Sequence, residues 1–342
     1  MTGRVEARAP TRIDFAGGTV DLWPLYLLHD RPLTVNAAIT LQATAVVERS
    51  ERRGIELVSR DRGTSCHLDP DHPASDVGPD LEFIARMARH FLDSGEARDG
   101  DAGVRVITDC KAPAGSGLGG SSTLGIALAA ALDRRTRRGL DPERMLSITR
   151  AIETQVLGIP TGEQDYHPAL RGGVLALHYT VEGTRVERLK ADLEELRRRT
   201  VLVYTGTSRS SGLSNWDVFK RHLDGEREVR QALQSIIDAA HAVREAILAR
   251  RWDDAGEAMG REWLARQRLS PAVSDARIER LISEGITSGA IAGKVCGAGG
   301  GGCLVLWVRE GAGDEVRRRM AREGGTVLEF EYTEHGVQVS DS

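Results

Sequence analysis

The segment Pro113-Ala-Gly-Ser-Gly-Leu-Gly-Gly-Ser-Ser-Thr123 runs into an uncharged stretch dense in alanine and leucine, residues 123–132. A glycine-rich turn that opens a buried helix is suited to holding an anion. Without Cβ atoms the backbone N–H groups can crowd around the charge, and the helix N-terminus adds its partial positive end. Ser121 and Ser122 lie at the mouth of that helix, where a hydroxyl can cap the helix or ligate Mg²⁺. The segment is not a Walker A loop, because no Gly-Lys-Ser/Thr follows. Nor is it a dinucleotide fingerprint, since no acidic residue closes a strand about 20 residues on. Two readings stay open at this point: a phosphate loop, or a glycine turn with an ordinary serine cap.

Working outward, a second glycine cluster lies at Gly297-Ala-Gly-Gly-Gly-Gly302, between Lys294-Val-Cys and the apolar run Cys303-Leu-Val-Leu-Trp307. Five glycines in six residues are entropically costly to order, so close approach to a ligand explains them better than a plain loop. A third turn, Phe15-Ala-Gly-Gly-Thr-Val-Asp21, follows Arg12 and places an arginine and a carboxylate around a tight bend. Glu153 falls inside an amphipathic helix predicted for 142–157, which Gly158 and Pro160 end. Asp165 follows in a Gly/Pro-rich turn. A helix carboxylate is usually a solvated charge and a turn aspartate usually a turn former, so neither decides anything alone.

Spacing predicts strands over 33–47, 54–59, 103–108, 172–179, 200–204, 303–308 and 326–332, and helices over 81–92, 123–132, 142–157 and 313–323. Residues 226–283 read as helical, with breaks near Arg251 and Ser270-Pro271. This is an α+β pattern, with a change of character near residue 190 that suggests domains at 1–190 and 191–342. The chain carries 46 basic and 50 acidic residues for a net charge of −4, which argues against a nucleic-acid surface. No apolar run approaches a membrane span and the first residues lack a signal-peptide core. Cys66, Cys110, Cys296 and Cys303 form no Cys-x-x-Cys pair, which fits small core residues in a reducing cytoplasmic setting. Only four of the basic residues are lysines, Lys111, Lys190, Lys220 and Lys294, which makes each one notable.

The order of these elements resembles the GHMP kinase superfamily of galactokinase, homoserine kinase and mevalonate kinase. Its first motif is similar to Arg8-Ala-Pro-Thr-Arg-Ile-Asp-Phe-Ala-Gly-Gly18, its phosphate loop to residues 113–122 and its third motif to residues 294–302. Within it, the bacterial heptose 7-phosphate 1-kinases are the nearest likeness. They share an Ala-Gly-Gly turn ending in Asp (here Asp21), a Gly-x-Gln-Asp turn (Gly162 to Asp165), a Tyr-Thr-Gly-x-Ser-Arg segment (Tyr204 to Arg209) and a helical stretch like Trp263 to Leu269. One departure is Gly17-Gly-Thr-Val-Asp21 in place of the usual Gly-Gly-Gly-Thr-Asp.

The resemblance implies a GHMP kinase fold, with an N-terminal domain like the second domain of ribosomal protein S5 and a ferredoxin-like C-terminal domain with added helices. It implies an ATP- and Mg²⁺-dependent kinase acting on a sugar or sugar phosphate, with the anomeric hydroxyl of a heptose 7-phosphate as the expected acceptor. A free hexose or uronic acid is the alternative acceptor. A non-catalytic sugar sensor and a decarboxylase are remoter relatives. By residue, it implies Asp165 and Arg12 as the catalytic pair and Ser121 and Glu153 as Mg²⁺ ligands. Pro113, Gly115, Ser116, Gly117, Leu118, Gly119, Gly120, Ser121 and Ser122 would hold the nucleotide. Gly18, Thr19, Asp21, Gln164, Arg209, Gly299 and Gly300 would line the substrate side. The expected partners are the small-molecule substrate, with no nucleic acid and no membrane, and a homodimer left open.

Overall fold

The computed structural model of the chain describes residues 3–69, 73–93, 103–207 and 211–342. Its first sheet is built from β1 (Arg4–Ala16), β2 (Leu33–Ser50), β3 (Ile55–Ser59), β4 (Thr64–Leu68), β5 (Gly103–Cys110), β6 (Val174–Thr180) and β7 (Gly183–Leu189). A second sheet holds β8 (Thr200–Tyr204), β9 (Ala290–Val295), β10 (Cys303–Val308) and β11 (Thr326–Leu328), in the order β11-β8-β10-β9. The last strand, β12 (Gln338–Asp341), returns to the first sheet and pairs with β1. The sheets therefore change over between Leu189 and Thr200, near the expected boundary, but the C-terminal residues close the N-terminal sheet.

The 18 residues of β2 serve two neighbours in turn: Ala43–Ser50 pairs with β5 and Leu33–Ala37 with β6. The pairing of β1 with β2 slips at Pro10/Thr11. A proline has no N–H for the ladder, so the slip falls where the ladder loses least. Beyond it, Arg12 and Asp14 are carried on a strand that is buried throughout.

Ten helices complete the described residues: α1 (Pro79–Leu92), α2 (Gly120–Thr136), α3 (Pro142–Leu157), α4 (Tyr166–Arg171), α5 (Leu193–Arg198), α6 (Ser211–Leu223), α7 (Arg227–Leu248), α8 (Trp252–Gln267), α9 (Ala276–Thr287) and α10 (Gly313–Arg322). The strand expected over 326–332 stops at Leu328, and β1, β4, β7, β9, β12 and α4–α6 were not expected from the sequence. α2 is buried nearly all round, as its alanine-rich sequence predicts. Asp141 caps α3 by accepting from the Arg144 N–H at 2.7 Å, and Gly158 ends it in a left-handed conformation. One apolar cluster takes in Ile13, Phe15 and Val35 from the first sheet with Val305 and Trp307 from the second, so the two sheets share a core.

The close packing of α2 on α3 and α1 rests on Gly125. A Cβ there would lie 2.3 Å from the Thr149 methyl and 2.8 Å from the Phe83 ring. Alanine would gain ~1 kcal/mol of helix propensity, whereas overpacking a filled core costs ~1–3 kcal/mol. The steric term wins, so Gly125→Ala should lower stability in urea denaturation. An unchanged or raised midpoint would mean that this contact is soft.

Candidate active site

The site forms where β1, the loop before α2, the turn before α4 and the loop between β9 and β10 converge. Arg12, buried on β1, donates from Nε to Asp165 Oδ1 at 2.8 Å, with Nη2 at 2.6 Å from the same oxygen. Its Nη1 donates to the Gly117 carbonyl. One guanidinium thus joins the turn before α4 to the glycine loop. Asp165 precedes α4 and keeps about a quarter of its side chain exposed (23%). Its carboxylate fits only because residue 119 is a glycine, where a Cβ would sit 2.9 Å from the Asp165 Cγ.

Gly119 is also the N-cap of α2, in a left-handed conformation (φ 75°), and no side chain caps the helix. The cap that Ser121 or Ser122 offered in sequence is therefore not used. Ser122 instead donates to Glu153 Oε2 at 2.8 Å, and Tyr166 donates to the same oxygen at 2.5 Å. The N–H groups of Gly120 and Ser121, in the first turn of α2, have no intrahelical partner. Burial raises the Glu153 pKa, against hydrogen bonds from Tyr166, Ser121 and Ser122 that lower it.

The donor set here is one buried carboxylate with serine hydroxyls beside it. Among the described residues no cluster of three or more His, Cys, Asp or Glu could hold a metal by itself. That fits Mg²⁺, which takes one or two protein carboxylates and completes its shell with phosphate oxygens and water.

The loops around Gly117 and Gly297 touch through their backbones. A Cβ on Gly117 would meet the Cys296 carbonyl at 2.2 Å, and one on Gly297 would lie 3.2 Å from the Gly117 carbonyl. The Cys303 N–H donates to the Ser116 carbonyl at 2.7 Å. The Gly300 and Gly302 N–H groups donate to the carbonyls of Val273 and Thr207. At these two positions the second loop is a wall.

On the other side, Asp21 accepts from the Gln164 N–H at 3.0 Å, in a space that exists because residue 162 lacks a Cβ. Thr19 (φ 71°) donates to Asn215 Oδ1 of α6 at 2.9 Å. Behind this turn are four fully buried charges that the sequence reading did not join: Asp14, Glu262, Arg266 and Lys294. Lys294 Nζ lies 3.0 Å from Asp14 Oδ2 and 3.5 Å from Glu262 Oε2, and Arg266 donates to Glu262 Oε1 at 2.5 Å. Arg266 also donates to the Gly18 carbonyl (2.9 Å), Thr19 Oγ1 (3.2 Å) and the Gly297 carbonyl (3.4 Å). A single side chain on α8 thereby ties the turn at 17–19 to the third glycine motif. Of the expected site residues, only Arg209 lies outside the described residues.

The arrangement of glycine loop, open helix N-terminus, buried carboxylate and Arg–Asp pair is that of a phosphoryl-transfer centre. Family profiles agree. That for the "GHMP kinases N terminal domain" matches residues 82–173 and that for "GHMP kinases C terminal" matches 243–326, together just over half of the chain. The chain belongs to the GHMP kinase family and is an ATP-dependent small-molecule kinase.

Full-length relatives include a D-glycero-α-D-manno-heptose 7-phosphate kinase of Campylobacter jejuni, 26% identical over 340 residues and covering 98% of each chain. A mevalonate kinase of Thermococcus gammatolerans is 25% identical over 349 residues, covering 99% of each. Among solved structures, a D-glycero-D-manno-heptose 1-phosphate kinase from Bacteroides thetaiotaomicron superposes with a TM-score of 0.77 at 23% identity, covering 99% of both chains. Lactococcus lactis galactokinase complexed with galactose gives 0.77 at 16%, covering 98% of this chain and 95% of that one. These two likenesses carry the fold. No helix among the described residues is long and apolar enough to cross a membrane.

Burial pushes the Asp21 carboxyl up to about 7, with the Gln164 N–H opposing and the nearby Asp165 charge adding. A carboxyl raised by folding stabilises the protein fully below the ordinary carboxylate range, and that contribution is lost as pH climbs through about 7. The span corresponds to at most ~4 kcal/mol. Asp21→Asn removes the titration, so the stability of the variant relative to wild type should rise between pH 5 and pH 8.5 in urea denaturation. A difference independent of pH would show that Asp21 is ionised throughout.

Proposed function

We propose that the protein transfers the γ-phosphoryl of ATP to the anomeric hydroxyl of a phosphorylated sugar of the heptose 7-phosphate class. The observation that carries the reading is the Arg12–Asp165 pair, fixed beside the glycine loop that opens α2. The full-length similarity to a heptose 7-phosphate kinase supports the acceptor class. A free sugar is the second reading, favoured by a fucokinase-containing relative from Arabidopsis thaliana, 26% identical over 340 residues and covering 93% of this chain but 31% of that protein.

In this reading residues 115–122 and the N-terminus of α2 bind the triphosphate through backbone N–H groups. Glu153 and Ser121 would hold Mg²⁺, which when bound neutralises phosphate charge. Asp165 accepts or orients the proton of the acceptor hydroxyl through Oδ2, because Oδ1 is occupied by Arg12. Arg12 favours the developing alkoxide. Asp21 and Gln164 face the acceptor's other hydroxyls, and Gly18, Thr19, Gly299 and Gly300 shape the pocket. Cytoplasmic location is the expected setting for such chemistry.

The experiment is a substrate panel of free and phosphorylated sugars, with the position of the new phosphate assigned by NMR, run on wild type and Asp165→Asn. Asparagine keeps the size and turn preference but removes the charge, so kcat should fall by about 10²–10⁴-fold with ATP affinity nearly constant. Near-normal kcat would sink the role of Asp165. A wild-type preference for unphosphorylated sugars would sink the acceptor class alone.

Arg266→Lys preserves the buried charge but cannot span Gly18, Thr19 and Gly297 together. It should raise the acceptor KM by ~10-fold or more, as expected for loss of charge-assisted contacts, while leaving the ATP KM within about twofold. Equal change in both constants would mark a general loss of folding instead.

A further inference from the structure

Away from the kinase centre, a cleft of about 580 Å³ opens between the end of the 3-10 turn Leu25–Leu28, the end of α6 and the start of α7. Its walls are His29 and His222 on one side, with Arg227, Arg230, Gln231 and Gln234 on the other. Those four α7 positions have the spacing i, i+3, i+4 and i+7, which is one face of a helix. We propose that this cleft is a second anion site, taking phosphate or a phosphomonoester, distinct from the site of phosphoryl transfer.

The chemistry of the walls points one way. Every polar side chain there can donate a hydrogen bond, and none is a carboxylate. Arg227 and Arg230 form no ion pair with any described residue, although the chain has more acids than bases. Arg221, close by, is paired with Glu226 at 2.5 Å. The nearest acid of the first turn, Glu228, lies about 100° round the helix from Arg227.

His222 is only 3% exposed, and its Nδ1 has no hydrogen-bond partner. The Nε2 of His29 is likewise buried and unpartnered. The two rings lie 4.9 Å apart, tilted by 54°. Burial lowers both imidazole pKa values, His222 to about 4; a hydrogen bond with Gln234 opposes the shift at His29, and Arg230 adds to the lowering at both. The guanidinium and amide donors of Arg227, Arg230, Gln231 and Gln234 are complementary to phosphate oxygens, and each neutral ring adds an N–H in the tautomer that protonates its unused nitrogen. The site also faces the first turn of a 22-residue helix whose cap, Glu226, makes no side-chain capping bond. Its volume is within the range of small-molecule pockets.

The site is separate from the transferred phosphate. His222 stands seven residues along α6 from Asn215, the residue bonded to Thr19, or ~10 Å of helix. Between them the apolar cluster of Val20, Leu22, Leu25, Tyr26, Val218 and Phe219 fills the space. α6 therefore touches both the cleft and the acceptor turn, and an anion in the cleft is placed to alter acceptor binding through it.

The test is NMR of the imidazole signals in the full chain, titrated with inorganic phosphate while a nonhydrolysable ATP analogue and Mg²⁺ occupy the kinase centre. His29→Gln and His222→Gln assign the two signals. Both should move saturably, and Arg227→Ala/Arg230→Ala should weaken the apparent affinity by ~10-fold or more. That double variant should keep its kcat and KM in phosphate-free buffer, which separates this site from the kinase reading. Repeating the titration with a sugar phosphate and with AMP tells whether a metabolite or a nucleotide is the better source of the anion. Signals that stay still throughout, or that move equally in the double variant, would overturn the assignment.

Discussion

Four charges without water hold the active site in shape. Asp14, Glu262, Arg266 and Lys294 are all fully buried, and they come from three elements, β1, α8 and β9. The group is neutral as a whole, which is what allows it to exist. Isolated, any one of these charges would carry a desolvation penalty of several kcal/mol. Together they offset part of it through mutual attraction and through hydrogen bonds from Arg266 and Lys294 to backbone carbonyls. Removing one member of a buried pair typically costs ~3–5 kcal/mol, because its partner is stranded. The set therefore acts less as a source of net stability than as a constraint. The alternatives to this packing leave a charge in the core, so the turn at 17–19 and the loop at 297 are held to one relative position.

Glycine does the complementary work from the other side. At residues 117 and 119 the missing Cβ is a matter of space. The Cys296 carbonyl occupies the place of one side chain and the Asp165 carboxylate crowds the other. The backbone of the phosphate loop is thus pressed against both the third motif and the Arg12–Asp165 pair. Positive φ at both residues removes the remaining alternatives, since left-handed backbone is strained for most other residues.

The glycine loops were legible in the sequence because ordering so many glycines beside apolar segments is costly, whereas Glu153 and Asp165, ordinary alone, gained meaning only from the order of the motifs around them. Residues 113–122, Glu153, Asp165 and Arg12, expected from the motif resemblance, lie together in the fold. The charge quartet was not. Glu262 and Arg266 stand at i, i+4 on a helix, a pattern that normally means a solvated surface pair, and nothing local says that this face is buried. Lys294 gave the one usable signal, a rare lysine inside the apolar strand Ala290–Val295. Tyr166, which donates to Glu153, was hidden because its role depends on α3 and α4 meeting side by side. Strand β12 escaped for a related reason: its four residues are all exposed and show no alternation, so only pairing with β1 makes them a strand.

The orientation of Asp165 bears on what that carboxylate can do. Both contacts from Arg12 fall on Oδ1. Oδ2 is turned toward Gly119, where an added Cβ would be 3.1 Å away. Gly119 is the residue that opens α2, the point at which the helix dipole and the free N–H groups of the first turn are strongest. A hydroxyl held by Oδ2 would therefore lie next to a phosphate held by the helix. Phosphoryl transfer gains chiefly from such placement and from charge stabilisation, and little from covalent help. Arg12 serves both ends, because the same guanidinium that fixes Oδ1 also holds the Gly117 carbonyl. Moving the aspartate would therefore move the loop, and the spacing between Asp165 and the glycine loop is set by one buried side chain rather than by two independent ones.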